Sequence, residues 1–206
     1  MPKQTFFNLP DEKRELLIKS AKKEFSRVPL SEASIANIIK SAGIPRGSFY
    51  QYFEDKEDAF YYILEEQTKA HNSEFSLTLK RNNGDLFDAF IEIFEYMLVE
   101  FQNQENLDFY KNLFLNMNYK MESKLTHGFN KTSFDEQFSS IITDIDIKKL
   151  NISNEQEVMH VIKIITAVTT HNLMQNFAKK VPYDEAILNY TFEMNLLKRG
   201  LYKDME

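Results

Sequence analysis

Apolar residues recur at every third or fourth position along most of this chain, and that spacing predicts an all-α protein. In the first long helix, expected to begin near Pro10, the residues Leu17, Ala21 and Phe25 form one buried stripe. No segment has the alternation of a β-strand, so the expected architecture is nine or so helices. The further helices are predicted from Ser34 to a break at Gly43, from Pro45, over 55–81, 85–102, 154–180 and 183–203, with two or three more, divided at Gly128, within 105–150.

The composition agrees with long helices and excludes several kinds of chemistry. The 206 residues include five Gly and five Pro, so turns are few. There is no Cys, which excludes disulfides, thiolate metal sites and Cys nucleophiles. We find no Gly-rich phosphate loop, no metal-ligand spacing and no pairing of nucleophile and base, so an enzyme is not expected. With neither a signal-peptide pattern nor an apolar run near the ~20 residues of a membrane span, a cytoplasmic protein is expected.

Charge is distributed unevenly along the chain. Residues 1–56 hold ten Lys and Arg against seven Asp and Glu, whereas residues 57–206 hold fifteen against twenty-four. The first part therefore carries a net charge of +3 and the remainder −9, within a total of −6. A basic N-terminal part on an acidic body is compatible with nucleic-acid binding by the N-terminal part alone.

The segment 34–56 contains the pattern with the clearest functional meaning. A helix, a break at Gly43 and a second short helix form the layout of a helix-turn-helix, whose second helix enters the major groove of DNA. Gly43 allows the tight turn, and Pro45 suits the first turn of the second helix. Phe49 and Phe53 have the spacing that seats this short helix on the two helices before it.

The other side of the short helix carries polar and aromatic side chains suited to DNA. Arg46 can make a bidentate contact with guanine and Gln51 can read adenine, while Ser and Tyr hydroxyls suit phosphates. Gly47 would let the backbone approach the duplex closely, and Lys56 could reach a phosphate at the start of the next helix. A surface helix with an aromatic cluster and no ligand is the alternative. The preceding helix, the glycine turn and the basic charge favour DNA binding.

This segment resembles the TetR family of transcriptional regulators. The resemblance covers about residues 10–62. It is carried by the series of residue types that follows the Gly turn: small residues, an aromatic residue, the motif Tyr-x-Tyr-Phe and then Lys-Glu. It implies a homodimer that binds operator DNA, with a helix-turn-helix domain over 1–54 and a ligand-binding and dimerisation domain over 55–206. Carried over position by position, the DNA contacts fall on Ser34, Arg46, Gly47, Ser48, Tyr50, Gln51, Tyr52 and Lys56.

The helix predicted over 154–180 is apolar on more than one side. Burial against both its own domain and a second subunit would account for so wide an apolar arc. The family's four-helix dimer interface implies the same, and a single large monomer core is the alternative. The apolar positions are Val158, Val161, Ile162, Ile165, Val168, Leu173 and Phe177.

Two histidines fall on helices that commonly border the ligand pocket in this family. His71 and His171 lie among apolar neighbours, and two neutral imidazoles from facing helices would make an axial pair for haem iron. Segments 1–3, 11–14, 44–55 and 171–173 also resemble a haem-sensing TetR-type repressor of an efflux transporter, which implies haem as an effector held by these histidines. Ordinary polar residues in a pocket wall are the alternative reading of both.

An apolar or amphipathic effector is the competing expectation. Phe94, Met97 and Met174, together with the two histidines, could line an adaptable pocket for a fatty-acyl compound, a drug or a steroid-like molecule, because Met reshapes easily. A haem carrier without DNA function would explain the histidines but not the helix-turn-helix. The expected partners are operator DNA, a small-molecule effector and a second copy of the chain, with no required cofactor.

Overall fold

The computed structural model describes residues 1–117 and 141–202, and over these residues the chain is all-α, as predicted. One isolated antiparallel bridge joins Leu150 and Tyr202. None of the described helices is long and apolar enough to span a membrane. The helices are α1 (Gln4–Phe7), α2 (Asp11–Arg27), α3 (Ile35–Ala42), α4 (Arg46–Tyr52), α5 (Lys56–Arg81), α6 (Leu86–Glu100), α7 (Gln104–Leu115), α8 (Glu155–Lys179) and α9 (Tyr183–Leu201), with a 3₁₀ turn at Ile147–Lys149.

The long helices begin and end close to the predicted residues, whereas the shortest was not predicted. Helix α8 follows Asn154, whose side chain accepts a hydrogen bond from the Glu157 amide and so caps the helix. Helix α4 begins at Arg46, one residue later than predicted, because Pro45 is extended (φ −61°, ψ 148°) and occupies the N-cap. Helix α1 is a single turn, too short to show a period. The predicted break at Gly128 lies outside the described residues.

The chain forms two compact units that do not follow the order of the sequence. The first contains Met1–Ala70 and the segment from Phe101 that includes α7. The second contains His71–Glu100 and the described residues from 141 onward. The predicted boundary after residue 54 separates the expected DNA-binding domain from the expected ligand-binding domain. The boundary between the compact units lies instead within α5, between Ala70 and His71.

The core of the first unit lies on the predicted stripe of α2. Leu17, Ala21 and Phe25 are at most 1% exposed, which confirms that stripe. The ring of Phe25 meets that of Phe60 on α5 edge to face, with centroids 5.2 Å apart. Phe60 in turn lies 5.6 Å from Phe109 of α7, so three helices meet around one aromatic cluster.

Helix α7 is bound to the C-terminal end of α2 by side-chain hydrogen bonds. The Asn112 amide donates to the carbonyl oxygens of Phe25 (3.0 Å) and Ser26 (2.8 Å), which lie in the last turn of α2 and have no partner within the helix. The Lys22 ammonium donates to the Asn106 side chain at 2.7 Å. Helix α7 therefore belongs with the N-terminal helices, although 76 residues separate Arg27 from Gln104.

The turn that joins α5 to α6 in the second unit depends on close backbone packing. Gly84 has φ +73°, and a Cβ built on it would lie 2.6 Å from the Asp146 backbone nitrogen and 2.8 Å from the Asp144 carbonyl oxygen. The Asp146 amide donates to the Gly84 carbonyl at 3.0 Å. Asp85 then caps α6 by accepting a hydrogen bond from the Phe87 amide at 3.1 Å.

Helices α6, α8 and α9 share the core of the second unit around Tyr190. Its ring stacks on that of Phe94 with centroids 4.0 Å apart, and its hydroxyl hydrogen-bonds the Thr169 hydroxyl at 2.7 Å. Burial raises the pKa of Tyr190, so the phenol stays protonated and able to donate. The apolar positions predicted on α8 are buried except Val168, which is half-buried.

Candidate nucleic-acid interface

Helices α3 and α4 are joined by the glycine turn that the sequence predicts. Gly43 has φ +65°, in the left-handed region, and the Ile44 amide donates back to the Ile39 carbonyl at 3.1 Å. A Cβ at Gly43 would meet no atom within 4 Å, so the backbone conformation alone favours glycine here. Ile38 and Phe49, one from each helix, are fully buried, which fixes α4 against the helices before it.

The solvent-exposed surface of α4 presents most of the predicted contact residues. Arg46, Gly47 and Gln51 are exposed, and Tyr50 is 43% exposed. Ser48 and Tyr52 are half-buried, at the edges of this surface. A short helix with a buried aromatic residue on one side and donors and acceptors on the other is suited to entering a groove of DNA.

The two predicted contact residues outside α4 differ in their environments. Ser34 occupies the N-cap of α3, and its side chain makes no capping hydrogen bond. Lys56 is half-buried, and its ammonium donates to the carbonyl oxygens of Ser31 (2.8 Å) and Ala33 (3.1 Å). Lys56 thus ties the start of α5 to the segment that leads into α3, a role the sequence analysis did not anticipate.

Glu24 is a second feature of this region that the sequence analysis missed. Its carboxylate is 5% exposed and accepts hydrogen bonds from Arg27 (2.8 and 2.9 Å), the Ser34 amide (2.9 Å) and the Asn37 side chain (3.1 Å). The hydrogen bond from Arg27 lowers the pKa of Glu24, and those from Ser34 and Asn37 add to this against the opposing effect of burial. The negative charge lies at the N-terminus of α3, where the helix dipole favours it. A charged residue three positions after Ala21, on the buried stripe of α2, is the sequence signal that could have identified it.

The candidate effector residues all belong to the second unit. His71 is half-buried with its ring edge-on to Tyr96, 6.3 Å between centroids, and His171 is exposed on α8. Phe94 is 1% exposed in the core, while Met97 and Met174 are half-buried. Among the described residues, no three or more His, Asp or Glu are grouped as a metal ion would require.

Two helices joined by a glycine turn, the second with exposed polar side chains, form a helix-turn-helix of the kind that DNA-binding regulators use. Two family models match the chain: "Bacterial regulatory proteins, tetR family" over residues 17–61, and "Tetracyclin repressor-like, C-terminal domain" over residues 85–201. The second alone covers more than half of the sequence. The chain belongs to the TetR family of transcriptional regulators, as its N-terminal segment predicts.

Individual relatives agree with this assignment. An uncharacterized HTH-type transcriptional regulator of Bacillus subtilis, YdgC, is 43% identical over 49 residues, a match that spans about a quarter of either chain (24% of this one and 25% of YdgC). Among solved structures, a TetR family regulator from Chloroflexus aurantiacus is 22% identical with a TM-score of 0.51, covering 98% of this chain and 99% of its own. SmeT, the repressor of the Stenotrophomonas maltophilia multidrug efflux pump SmeDEF, is 14% identical with a TM-score of 0.68, covering 93% and 91%. At these identities the two structures establish the fold.

Proposed function

We propose that the protein is a homodimeric repressor that binds a near-palindromic operator through α3 and α4 and responds to a small-molecule effector. The exposed polar face of α4, held on a buried Phe49 behind the Gly43 turn, is the observation that supports DNA binding most directly. In such a dimer each α4 enters one major groove, with half-sites about one helical turn apart or slightly more.

The residues of this face divide into base-reading and phosphate-binding groups. Arg46 and Gln51 carry the planar donor groups that read guanine and adenine edges, respectively. Tyr50 and Tyr52 have hydroxyls suited to phosphates, which position the protein without reading sequence. Lys56 uses two of its three N–H donors on the Ser31 and Ala33 carbonyls, so one donor remains for a phosphate.

An exposed apolar stripe on α9 supports the proposed homodimer. Leu188, Phe192 and Leu196 recur at intervals of four residues and are 69%, 63% and 50% exposed. Ile164 on α8 is 45% exposed. Several large apolar side chains on one helical face are uncommon on a monomer and are typical of a protein interface. The apolar positions predicted on α8 do not add to this stripe, because all of them except the half-buried Val168 are buried within a single chain.

Two classes of effector are proposed, an apolar or amphipathic small molecule and haem. Half-buried Met97 and Met174 in the second unit support an apolar or amphipathic molecule, and the structurally similar SmeT has been solved in complex with triclosan. Haem is retained on the resemblance and on the presence of His71 and His171 in the second unit, where His171 is exposed; the haem iron would take both imidazoles as axial ligands. In either case the effector lowers operator affinity only by binding the DNA-incompetent state more tightly.

The DNA-binding proposal is tested with a duplex that the wild-type protein selects from a randomised library. Arg46→Ala should weaken binding to that duplex by roughly 1–3 kcal/mol and relax the preference at one base pair, since a bidentate base contact is lost. Lys148→Ala, which also removes one exposed positive charge but lies on the 3₁₀ turn, is the matched control and should bind as wild type does. Equal binding by Arg46→Ala and wild type would show that α4 is not the recognition helix.

The dimer proposal is tested by sedimentation at micromolar concentration. Phe192→Glu places a charge within the apolar stripe and should convert a dimer to a monomer with weakened operator binding. Leu16→Glu introduces the same charge at a residue of α2 that is 47% exposed and should leave the dimer intact. A wild-type monomer, or an unaffected Phe192→Glu dimer, would contradict the proposed interface.

A further inference from the structure

The last turn of α4 is capped by a segment from the start of the sequence, the N-terminal arm (Met1–Phe7). The Lys3 ammonium donates to the Tyr50 carbonyl at 2.8 Å, and the Lys3 backbone amide donates to the Tyr52 carbonyl at 2.8 Å. The Thr5 hydroxyl donates to the Gln51 carbonyl between them. The final carbonyl groups of a helix have no partner within it, so the arm supplies partners for three consecutive ones.

An aromatic anchor holds the arm in this place. Phe6 is fully buried, with its ring centroid 5.0 Å from that of Phe53 and 5.1 Å from that of Tyr62. Phe53 follows the last residue of α4, and Tyr62 belongs to α5. Pro2 is also buried. The arm is therefore packed against the junction of α4 and α5 rather than lying loose on the surface.

We propose that Lys3 and Thr5 are positioning residues that hold the recognition helix in its DNA-binding orientation. This inference rests on the proposed function, in which α4 reads the operator. Helix α4 has seven residues, less than two complete turns, and a helix of that length has little stability of its own. Tyr50 and Gln51, whose side chains face outward, are also residues whose carbonyls the arm binds.

The charge of Lys3 fits this position. A cation at the C-terminal end of a helix is stabilised by the helix dipole as well as by the hydrogen bond to the carbonyl. The Lys3 ammonium uses one of its three N–H donors on the Tyr50 carbonyl, and the proposal assigns its effect on DNA binding to this bond to α4 rather than to a phosphate contact. The two roles differ in salt dependence, because each phosphate contact contributes about −0.9 to the slope of log affinity against log salt.

The test compares Thr5→Val, Thr5→Ser and Gln4→Ala on the duplex selected by the wild-type protein. Thr5→Val should lose about fivefold in affinity, the equivalent of one typical hydrogen bond, while its weak binding to mixed-sequence DNA stays unchanged. Thr5→Ser keeps a hydroxyl and should restore most of the affinity. Gln4 is exposed in the same arm, so Gln4→Ala should bind as wild type does. Equal affinities for Thr5→Val and wild type would overturn the proposal.

Two further measurements separate positioning from other roles. Lys3→Met should weaken specific binding at every salt concentration and leave the slope of log affinity against log salt unchanged. A slope reduced by about 0.9 per lost contact would instead assign Lys3 to a phosphate.

The second measurement is hydrogen exchange without DNA at the Phe53 amide, which donates to the Phe49 carbonyl and closes the last turn of α4. This amide should exchange faster in Thr5→Val than in wild type. Unchanged exchange would refute the arm's role even if the wild-type protein binds its operator. If the wild-type protein selects no duplex but the exchange changes, the proposed function is wrong while the cap on α4 stands.

Discussion

Gly47→Ala should change stability and DNA binding in opposite directions, and this makes it a sharp test of how α4 meets the duplex. Gly47 lies in the first turn of α4, and a Cβ built there would meet no atom within 4 Å of the protein. Its φ does not lie in the left-handed region. Ala should therefore fit without strain, and its higher helix propensity should raise the free energy of unfolding by up to about 1 kcal/mol. For a chain of this length that corresponds to an increase in Tm of roughly 2–4 °C.

The same methyl group should obstruct DNA binding. Gly47 is exposed between Arg46 and Ser48, on the face proposed to enter the major groove, so the added Cβ would hold the backbone away from the duplex. The loss of one close base contact is worth about 1–3 kcal/mol, or roughly 5- to 150-fold in affinity. Fluorescence anisotropy with the selected duplex measures this, and thermal denaturation by circular dichroism measures the stability.

Gly43→Ala is the matched comparison for the stability measurement. A Cβ at Gly43 also meets no atom within 4 Å, but its φ of +65° imposes a left-handed conformation that costs Ala about 1–2 kcal/mol. The two variants should therefore shift Tm in opposite directions. If Gly47→Ala binds the selected duplex as tightly as wild type does, the backbone of α4 does not approach DNA closely. If its Tm falls, the reasoning from the open space around Gly47 is wrong.

Three other predictions follow from the contacts of single residues. Glu24→Gln should destabilise the protein by about 2 kcal/mol near neutral pH. Folding lowers the pKa of Glu24, so the stabilisation by its carboxylate is present above the pKa of the unfolded state and is lost as the pH falls through the pKa of the folded state. Chemical denaturation should therefore show the difference in stability between this variant and wild type shrinking below about pH 4. Gly84→Ala should cost more than Gly43→Ala in the same assay, since its Cβ would lie 2.6 Å from a backbone nitrogen as well as adopting a left-handed φ, and an equal cost would contradict the close packing. Haem titration should give a six-coordinate low-spin absorption spectrum that His71→Ala and His171→Ala each abolish, whereas no binding, or spectra unchanged in both variants, would leave an apolar molecule as the effector.

Local signals made the helix-turn-helix predictable. Three of its features depend only on residues close in sequence: the left-handed turn at Gly43, the proline that precedes α4 and the burial of Phe49. The local pattern of residues was therefore enough to predict the motif. The same holds for the buried stripe of α2 and for the length of α5, which ends at Arg81 as predicted.

Contacts between distant residues could not be predicted in this way. The three donors of the N-terminal arm bind carbonyls of α4 that lie more than forty residues away in sequence. Helix α1, in the same arm, is a single turn and is too short to show a hydrophobic period. Lys56 was expected to face a phosphate because its position at the start of α5 is visible in the sequence, whereas the carbonyls it binds are not. The burial of Glu24 is not predictable from the sequence, because a carboxylate on a helix is usually solvated and only the convergence of α2 with the start of α3 explains it.

The packing of α7 on α2 has a consequence for the engineering of hybrid regulators. Joining the DNA-reading helices of this chain to the sensing region of a relative at residue 54 would leave Asn112 behind, and with it the partner of the Phe25 and Ser26 carbonyls. Those carbonyls would then face whatever side chain the donor protein supplies in its equivalent helix. A functional chimera therefore has to transplant α7 together with α2, as two separate pieces of sequence that form one structural module.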